Sequence, residues 1–236
     1  MSRWSYYLPI LGYHRIGDAR ADHVPTVSAE AFRRQLAFLA RHRYRVLSLE
    51  DVAARLDRGE PLPRRSTVIT FDDGYEETCT VAWPLLKRLE FPATVFVTPG
   101  EVATPGFATW EQLIAMSNGG MSVGSHTMHH SYIPTVPADR LPEEVVESKR
   151  VIEERIGRPV RLFSYPVGGF TMEARALVER SGYLAACTTN RASPVRGLDR
   201  FALRRVKITE RDTHPLSLQV KLSGYYDLFR RLKQPH

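Results

Sequence analysis

The sequence has little cysteine and no long apolar run, and each shortage excludes something. Two cysteines, Cys79 and Cys187, in 236 residues do not make a disulfide framework. Cys79 falls in a predicted helix and Cys187 in a predicted strand, so both read as reduced core residues. No stretch reaches the roughly 18 apolar residues that a spanning helix needs. The opening residues, Met1-Ser2-Arg3-Trp4-Ser5-Tyr6-Tyr7, lack a long apolar segment ending in a small-residue cleavage site. The expectation is a cytoplasmic protein. No internal repeat, low-complexity tract or linker interrupts the chain. Acidic residues are in deficit, with 33 Lys+Arg against 26 Asp+Glu and a formal charge of +7. That balance favours anionic surfaces or substrates and says nothing about fold. The basic residues are spread over many predicted helices without aromatic interleaving, so no nucleic-acid partner is expected.

What is present is alternation. Apolar runs at Tyr7–His14, Tyr44–Leu47, Val68–Phe71, Ala93–Thr98, Met121–Gly124, Val160–Tyr165, Tyr183–Thr189 and Phe201–Ile208 read as strands. Between them lie helical patterns. One is capped by Ser28 and carries Phe32, Leu36 and Leu39 on one face. Others cover Leu49–Leu56, Thr80–Leu89 with Pro84 in its first turn, Glu143–Ile156 and Glu173–Arg180. Thr109-Trp110-Glu111-Gln112 is a capping box. The order strand, helix, strand, helix argues for a single α/β domain over residues 1–236 with a largely parallel sheet, open or closed into a barrel.

The chain is organised around Val68-Ile69-Thr70-Phe71-Asp72-Asp73-Gly74-Tyr75. A buried parallel strand ends there in two adjacent carboxylates. In α/β proteins ligands bind at that end of the strands. Neighbouring carboxylates raise each other's pKa, a cost that a cation or a division of labour would offset. A second stretch, His126-Thr127-Met128-His129-His130, supplies a partner. If the segment turns helically, His126 and His130 share a face and can grip one metal. His129 is the register alternative, since a spacing of three also allows ligation. Asp73 or Asp72 can complete the site, leaving the other as general base. A metal would activate water and polarise a carbonyl. An amide in the Pro166-Val167-Gly168 loop could stabilise an oxyanion. The pattern is that of metal-assisted hydrolysis of an amide or ester.

Phe71-Asp72-Asp73-Gly74, His126-Thr127-Met128-His129-His130 and Phe163-Ser164-Tyr165-Pro166-Val167-Gly168 together resemble the first three motifs of the polysaccharide deacetylases, the NodB-homology domain of carbohydrate esterase family 4. Tyr13-His14-Arg15-Ile16, Phe91-Pro92-Ala93-Thr94-Val95-Phe96 and Phe201-Ala202-Leu203-Arg204-Arg205 extend the resemblance over most of the chain. It implies a distorted (β/α) barrel of about seven parallel strands. It implies that Asp72 is the general base and that Asp73, His126 and His130 hold a divalent metal, usually zinc. It implies that the Val167 amide completes an oxyanion hole. The implied reaction removes N-acetyl groups from an N-acetylglucosamine glycan.

The chain departs from the family pattern in three places. Ser164 stands where an Arg often orients the base, Val167 stands where an aromatic residue is common, and no late Leu-x-His motif supplies a general acid. The Phe-Ser-Tyr-Pro version looks more like the branch acting on exopolysaccharides such as poly-β-1,6-N-acetylglucosamine. His14, closing a predicted strand at the functional end, is the better candidate acid, ahead of His214. Tyr75, Tyr165, Pro166 and Trp110 are candidates for contact with the sugar. Two other readings remain. One is a weak or inactive glycan-binding homologue, suggested by the missing Arg. The other is a deacylase of a small or lipid-linked acyl-sugar at the inner membrane face. For the latter, the basic tail, with an amphipathic helix over Leu216–Leu232, offers Lys221, Arg230, Arg231 and Lys233 to anionic lipid.

Overall fold

The computed structural model describes residues 8–18, 24–189 and 199–223. Its elements run β1 (Ile10–Tyr13), β2 (Arg15–Ile16), β3 (Thr26–Val27), α1 (Ala29–Arg41), β4 (Arg45–Val46), α2 (Leu49–Asp57), β5 (Ser66–Phe71), α3 (Trp83–Arg88), β6 (Thr94–Val97), α4 (Trp110–Asn118), β7 (Ser122–Ser125), α5 (Ser148–Ile156), β8 (Leu162–Ser164), α6 (Met172–Arg180), β9 (Ala185–Thr188), β10 (Leu203–Lys207) and α7 (Pro215–Leu222). The ladder β5–β6–β7–β8–β9–β10 is parallel throughout, and β1 pairs with both β10 and β5. Seven parallel strands therefore close into a barrel. The short β4 pairs with the start of β5, outside the ring.

Strand side chains alternate between the barrel interior and the helices outside. Leu11, Ile69, Phe71, Val95, Val97, Phe163, Ala186 and Val206 belong to the apolar cluster shared with the helices. Ile10, Val68, Phe96, Leu162, Ala185, Cys187 and Leu203 form a separate cluster. Leu49, Val52 and Ala53 of α2 join that second cluster, so α2 plugs the amino end of the barrel. Gly124 faces the same interior. A Cβ there would lie 2.6 Å from the Phe96 ring, so the ring takes the space a side chain would need. Following the inward positions toward the carboxyl end, the lining turns from apolar to polar: Val68 then Thr70 then Asp72, Leu162 then Ser164, Leu203 then Arg205. The site is therefore the upper layer of the barrel interior.

Local signals place the helices. Ser28 and Ser48 accept hydrogen bonds from the amides three residues on, and Thr109 and Gln112 close the expected capping box. Pro84 stands in the first turn of α3, as expected, and a π-helical turn, Thr78–Ala82, runs directly into it. Pro84 has no N–H to donate four residues back, and the wider turn just before it accommodates that loss. A second π-helical turn, Glu143–Glu147, leads into α5. Both cysteines are free, and burial pushes the Cys187 thiol up to about 12.

Among the described residues no helix is long and apolar enough to cross a membrane. The basic tail is only partly covered. Lys221 is buried on α7, its Nζ 2.6 Å from Asp212 Oδ2 and from the Lys207 carbonyl, so it does not offer a solvated charge to lipid. Arg230, Arg231 and Lys233 lie outside the described residues.

Candidate active site

The carboxyl end of β5 builds the centre. Asp72 continues the inward face of the strand and is buried. Asp73 and Gly74 then both adopt positive φ, at 70° and 78°. Asp tolerates this left-handed region better than most residues, and Gly adopts it freely. The double turn gives adjacent carboxylates different surroundings: Asp72 faces Arg205, and Asp73 faces the two histidines.

Asp73, His126 and His130 offer ligand atoms that all lie within 4.8 Å of one another. The Nε2 atoms of His126 and His130 stand 3.5 and 3.2 Å from Asp73 Oδ1. That oxygen is buried without an aligned hydrogen-bond donor among the described residues. A cation between the three would satisfy it. His126 Nδ1 lies 2.7 Å from the Ser164 carbonyl. A carbonyl only accepts, so Nδ1 carries the proton and the Nε2 lone pair is left for a metal. Burial pushes the His126 pKa down, which also favours the neutral ligand form. The donor set of two imidazoles and one carboxylate fits a divalent metal such as zinc.

The loop reaches this arrangement without a helical turn. Thr127 and His130 are left-handed, at φ 68° and 56°. His129 is turned outward, with Nδ1 3.2 Å from Glu144 Oε1. The register left open by spacing is thus resolved by geometry: His130 faces Asp73 and His129 does not.

Asp72 is held by a group from β10, separated from β5 by β1 alone. Arg205 Nη1 and Nη2 donate to Asp72 Oδ1 and Oδ2, each at 2.6 Å, and Nη2 also donates to Ser164 Oγ at 2.9 Å. Burial alone would raise the Asp72 pKa, but the Arg205 charge and fork outweigh it and hold the carboxyl well below the usual carboxylate range. The Arg missing at Ser164 is therefore supplied from β10, and the short Ser164 side chain leaves room for it. Arg161 is exposed and lines a cavity on the barrel's amino side with Glu50 and Arg158. The sequence pattern alone gives Arg205 no role. The available signal was parity, since it stands two residues past the inward Leu203.

His14 follows β1 directly, with Nε2 4.0 Å from Asp72 Oδ2. Its Nδ1 is buried without a partner among the described residues. Val167 sits one residue past Pro166, in a turn at the end of β8, with φ 57° and its side chain exposed.

The candidate sugar contacts fare differently. Tyr165 is fully buried, stacks on Phe170 at 4.8 Å and donates its hydroxyl to the Phe201 carbonyl. Pro166 is also buried. Tyr75 is 7% exposed, stacked on Phe107 and covered by the Arg15 guanidinium 4.3 Å from its ring centre. Trp110 packs on the core between α4 and α5, where Arg155 lies 5.7 Å from its ring. Aromatic rings beside a barrel mouth gain more from packing than from solvent: Tyr75 and Tyr165 are used as core, and Trp110 is half-buried against it. Among the described residues, Tyr132 is instead the exposed ring, at 45%. It rests on Gly169, where a Cβ would come within 2.2 Å of it.

Solved structures share this architecture. The chain is similar to the Streptococcus pyogenes deacetylase PplD, solved in complex with acetate, at 27% identity and a TM-score of 0.82, covering 91% of this chain and 97% of that one. The class is that of the carbohydrate deacetylases, hydrolases of amide bonds. Within it, the chain belongs to the polysaccharide deacetylase family, whose model matches residues 59–186. Two relatives place it further. YxkH of Bacillus subtilis (strain 168), named for the same family, is 29% identical over 202 residues, 86% of this chain and 71% of its own. The poly-β-1,6-N-acetyl-D-glucosamine N-deacetylase of Escherichia coli (strain K12) is 29% identical over 139 residues, 52% of this chain and 21% of its own. The aligned region is thus about a fifth of the Escherichia coli protein.

Proposed function

We propose that this chain is a metal-dependent N-deacetylase of an N-acetylglucosamine-containing glycan. The observation that carries the reading is the division of the aspartate pair: Asp73 faces two imidazoles, while Asp72, ionised and clamped by Arg205, faces the same space with no ligand task. Asp73, His126 and His130 would hold the metal, zinc by its donor set. When bound, it supplies Lewis acidity toward the acyl oxygen and the attacking water. Asp72 accepts the water's proton, and Arg205 keeps its carboxylate ionised and aimed. The Val167 amide donates to the oxyanion. His14, across the mouth beside Asp72, gives a proton to the leaving amine nitrogen. The name of the Escherichia coli relative supports a β-1,6-linked glucosamine polymer as the first substrate class to try. A small or lipid-linked acyl-sugar is the alternative substrate. With Arg205 in place of the missing Arg, the Ser164 departure no longer favours an inactive homologue.

The direct test is acetate release from β-1,4 and β-1,6 N-acetylglucosamine oligomers by metal-stripped protein, with and without added zinc. Release should disappear on stripping and return with zinc. Zinc binding without turnover of any oligomer would sink the polymer reading and move a smaller acyl-sugar forward. The exposed Tyr132 is the surface suited to a sugar ring. Tyr132→Ala should raise KM for oligomers about tenfold, more than it lowers kcat, as loss of a stacking contact does. Steady-state kinetics on oligomers of two lengths checks this.

A further inference from the structure

One buried carboxylate outside the site makes an unusual number of bonds to the loop that carries the histidines. Glu144, 4% exposed, lies in the π-helical turn before α5. Its Oε2 accepts from the amides of Met128 and His129 at 2.9 and 3.1 Å. Its Oε1 accepts from Ser131 Oγ at 2.8 Å and lies 3.2 Å from His129 Nδ1. Its own carbonyl accepts from Ser148 Oγ, which is 2.8 Å from Ser125 Oγ, one residue before His126. The loop from 125 to 131 is therefore fastened to one side chain and its turn at both ends.

That fastening answers a question the sequence poses. Two adjacent histidines could each serve as the second imidazole, and unconstrained backbone would let them compete. A left-handed His130 is an uncommon conformation that surrounding bonds must hold. Glu144 holds it by binding the two preceding amides, and it occupies the His129 ring at the same time. A neutral acceptor would satisfy the amides but would lose the charge-assisted bonds.

We propose that Glu144 is a positioning residue that selects His130 over His129 as metal ligand and sets the affinity of the site. The inference rests on the metal site of the proposed function. It is tested on the full chain with zinc and cobalt as probes, by chelator competition, by the thermal shift that metal produces, and by the cobalt visible spectrum. Glu144→Gln should weaken zinc binding by about 10- to 100-fold, as loss of groups that orient ligands does. It should also shrink the metal-induced rise in Tm and change the cobalt spectrum. A purely structural role would lower Tm equally with and without metal and leave affinity and spectrum alone. Affinity within twofold of the parent therefore overturns the proposal. If Glu144→Gln does not fold, Ser131→Ala removes a single bond of the clamp. It should weaken zinc severalfold, and unchanged affinity is the overturning result. His130→Ala should abolish the cobalt spectrum, whereas His129→Ala should keep its shape; the reverse overturns the ligand choice. A parent chain that binds no zinc would overturn the proposed function and this inference together, while a tight parent with unaffected variants overturns this inference alone.

Discussion

Asp72→Asn is expected to lower kcat for acetate release by about a thousandfold, within the range for loss of a general base. Zinc binding should persist, because Asp73, His126 and His130 are untouched. The side chain is isosteric, but its amide NH2 only donates, so one arm of the Arg205 fork loses its acceptor. The proton acceptor is lost with it. The substitution also leaves the Arg205 guanidinium buried without its counter-charge. An unpaired buried charge is costly, so Tm should fall as well. The assay therefore belongs well below the variant's Tm, with the zinc titration run on the same sample. Retained turnover at more than a tenth of the parent rate, with zinc bound, would remove Asp72 from the role of base.

Arg205→Met should have the second largest effect, and it acts on stability and pH together. Breaking a buried pair by removing one partner costs about 3–5 kcal/mol, because Asp72 is left as an uncompensated carboxylate. In the parent, Arg205 depresses the folded-state pKa of Asp72 against the upward push of burial. A depressed carboxyl contributes stability that is present above its unfolded pKa of about 4 and lost as pH falls toward the folded value. Without Arg205, burial dominates and the carboxyl titrates higher than in the unfolded chain. The sign then reverses: the variant is most destabilised near neutral pH and recovers relative to the parent as pH falls. Urea midpoints across the acid range measure this. The acid limb of the kcat/KM profile should move upward in the same variant, since Asp72 must be ionised to accept a proton. Arg205→Lys keeps the charge but loses the two-pronged geometry, and should fall between. An unmoved acid limb in Arg205→Met would show that Asp72 ionisation does not limit the reaction.

Much of the site could be read without coordinates because it is local. Asp72 and Asp73 end an apolar β-branched run, and His126 and His130 follow another strand. Contiguous residues at strand ends share the mouth of a parallel barrel whatever the details between them. The capping box at Thr109 and Gln112 and the cap at Ser28 are local for the same reason. Burial of rings is not local. Tyr75, Tyr165 and Trp110 stand beside chemistry-bearing residues in sequence, yet Arg15, Phe107, Phe201 and Arg155 come from elsewhere to meet them. The helical turn expected at His126–His130 failed because spacing cannot report the backbone strain that a distant carboxylate will hold.

The sequence by itself determined the alternation of strands and helices, the paired carboxylates, the histidines and the family they belong to, since each depends on neighbours a few residues apart. Closure of the barrel decided the rest. It brought Arg205 from β10 to within 2.6 Å of Asp72 across 133 positions. It set Glu144 under a loop 13 to 16 residues earlier. It also settled which of two adjacent histidines faces Asp73. A charge inside a barrel is tolerated only opposite another charge, and which charges meet there depends on strand parity and ring closure together.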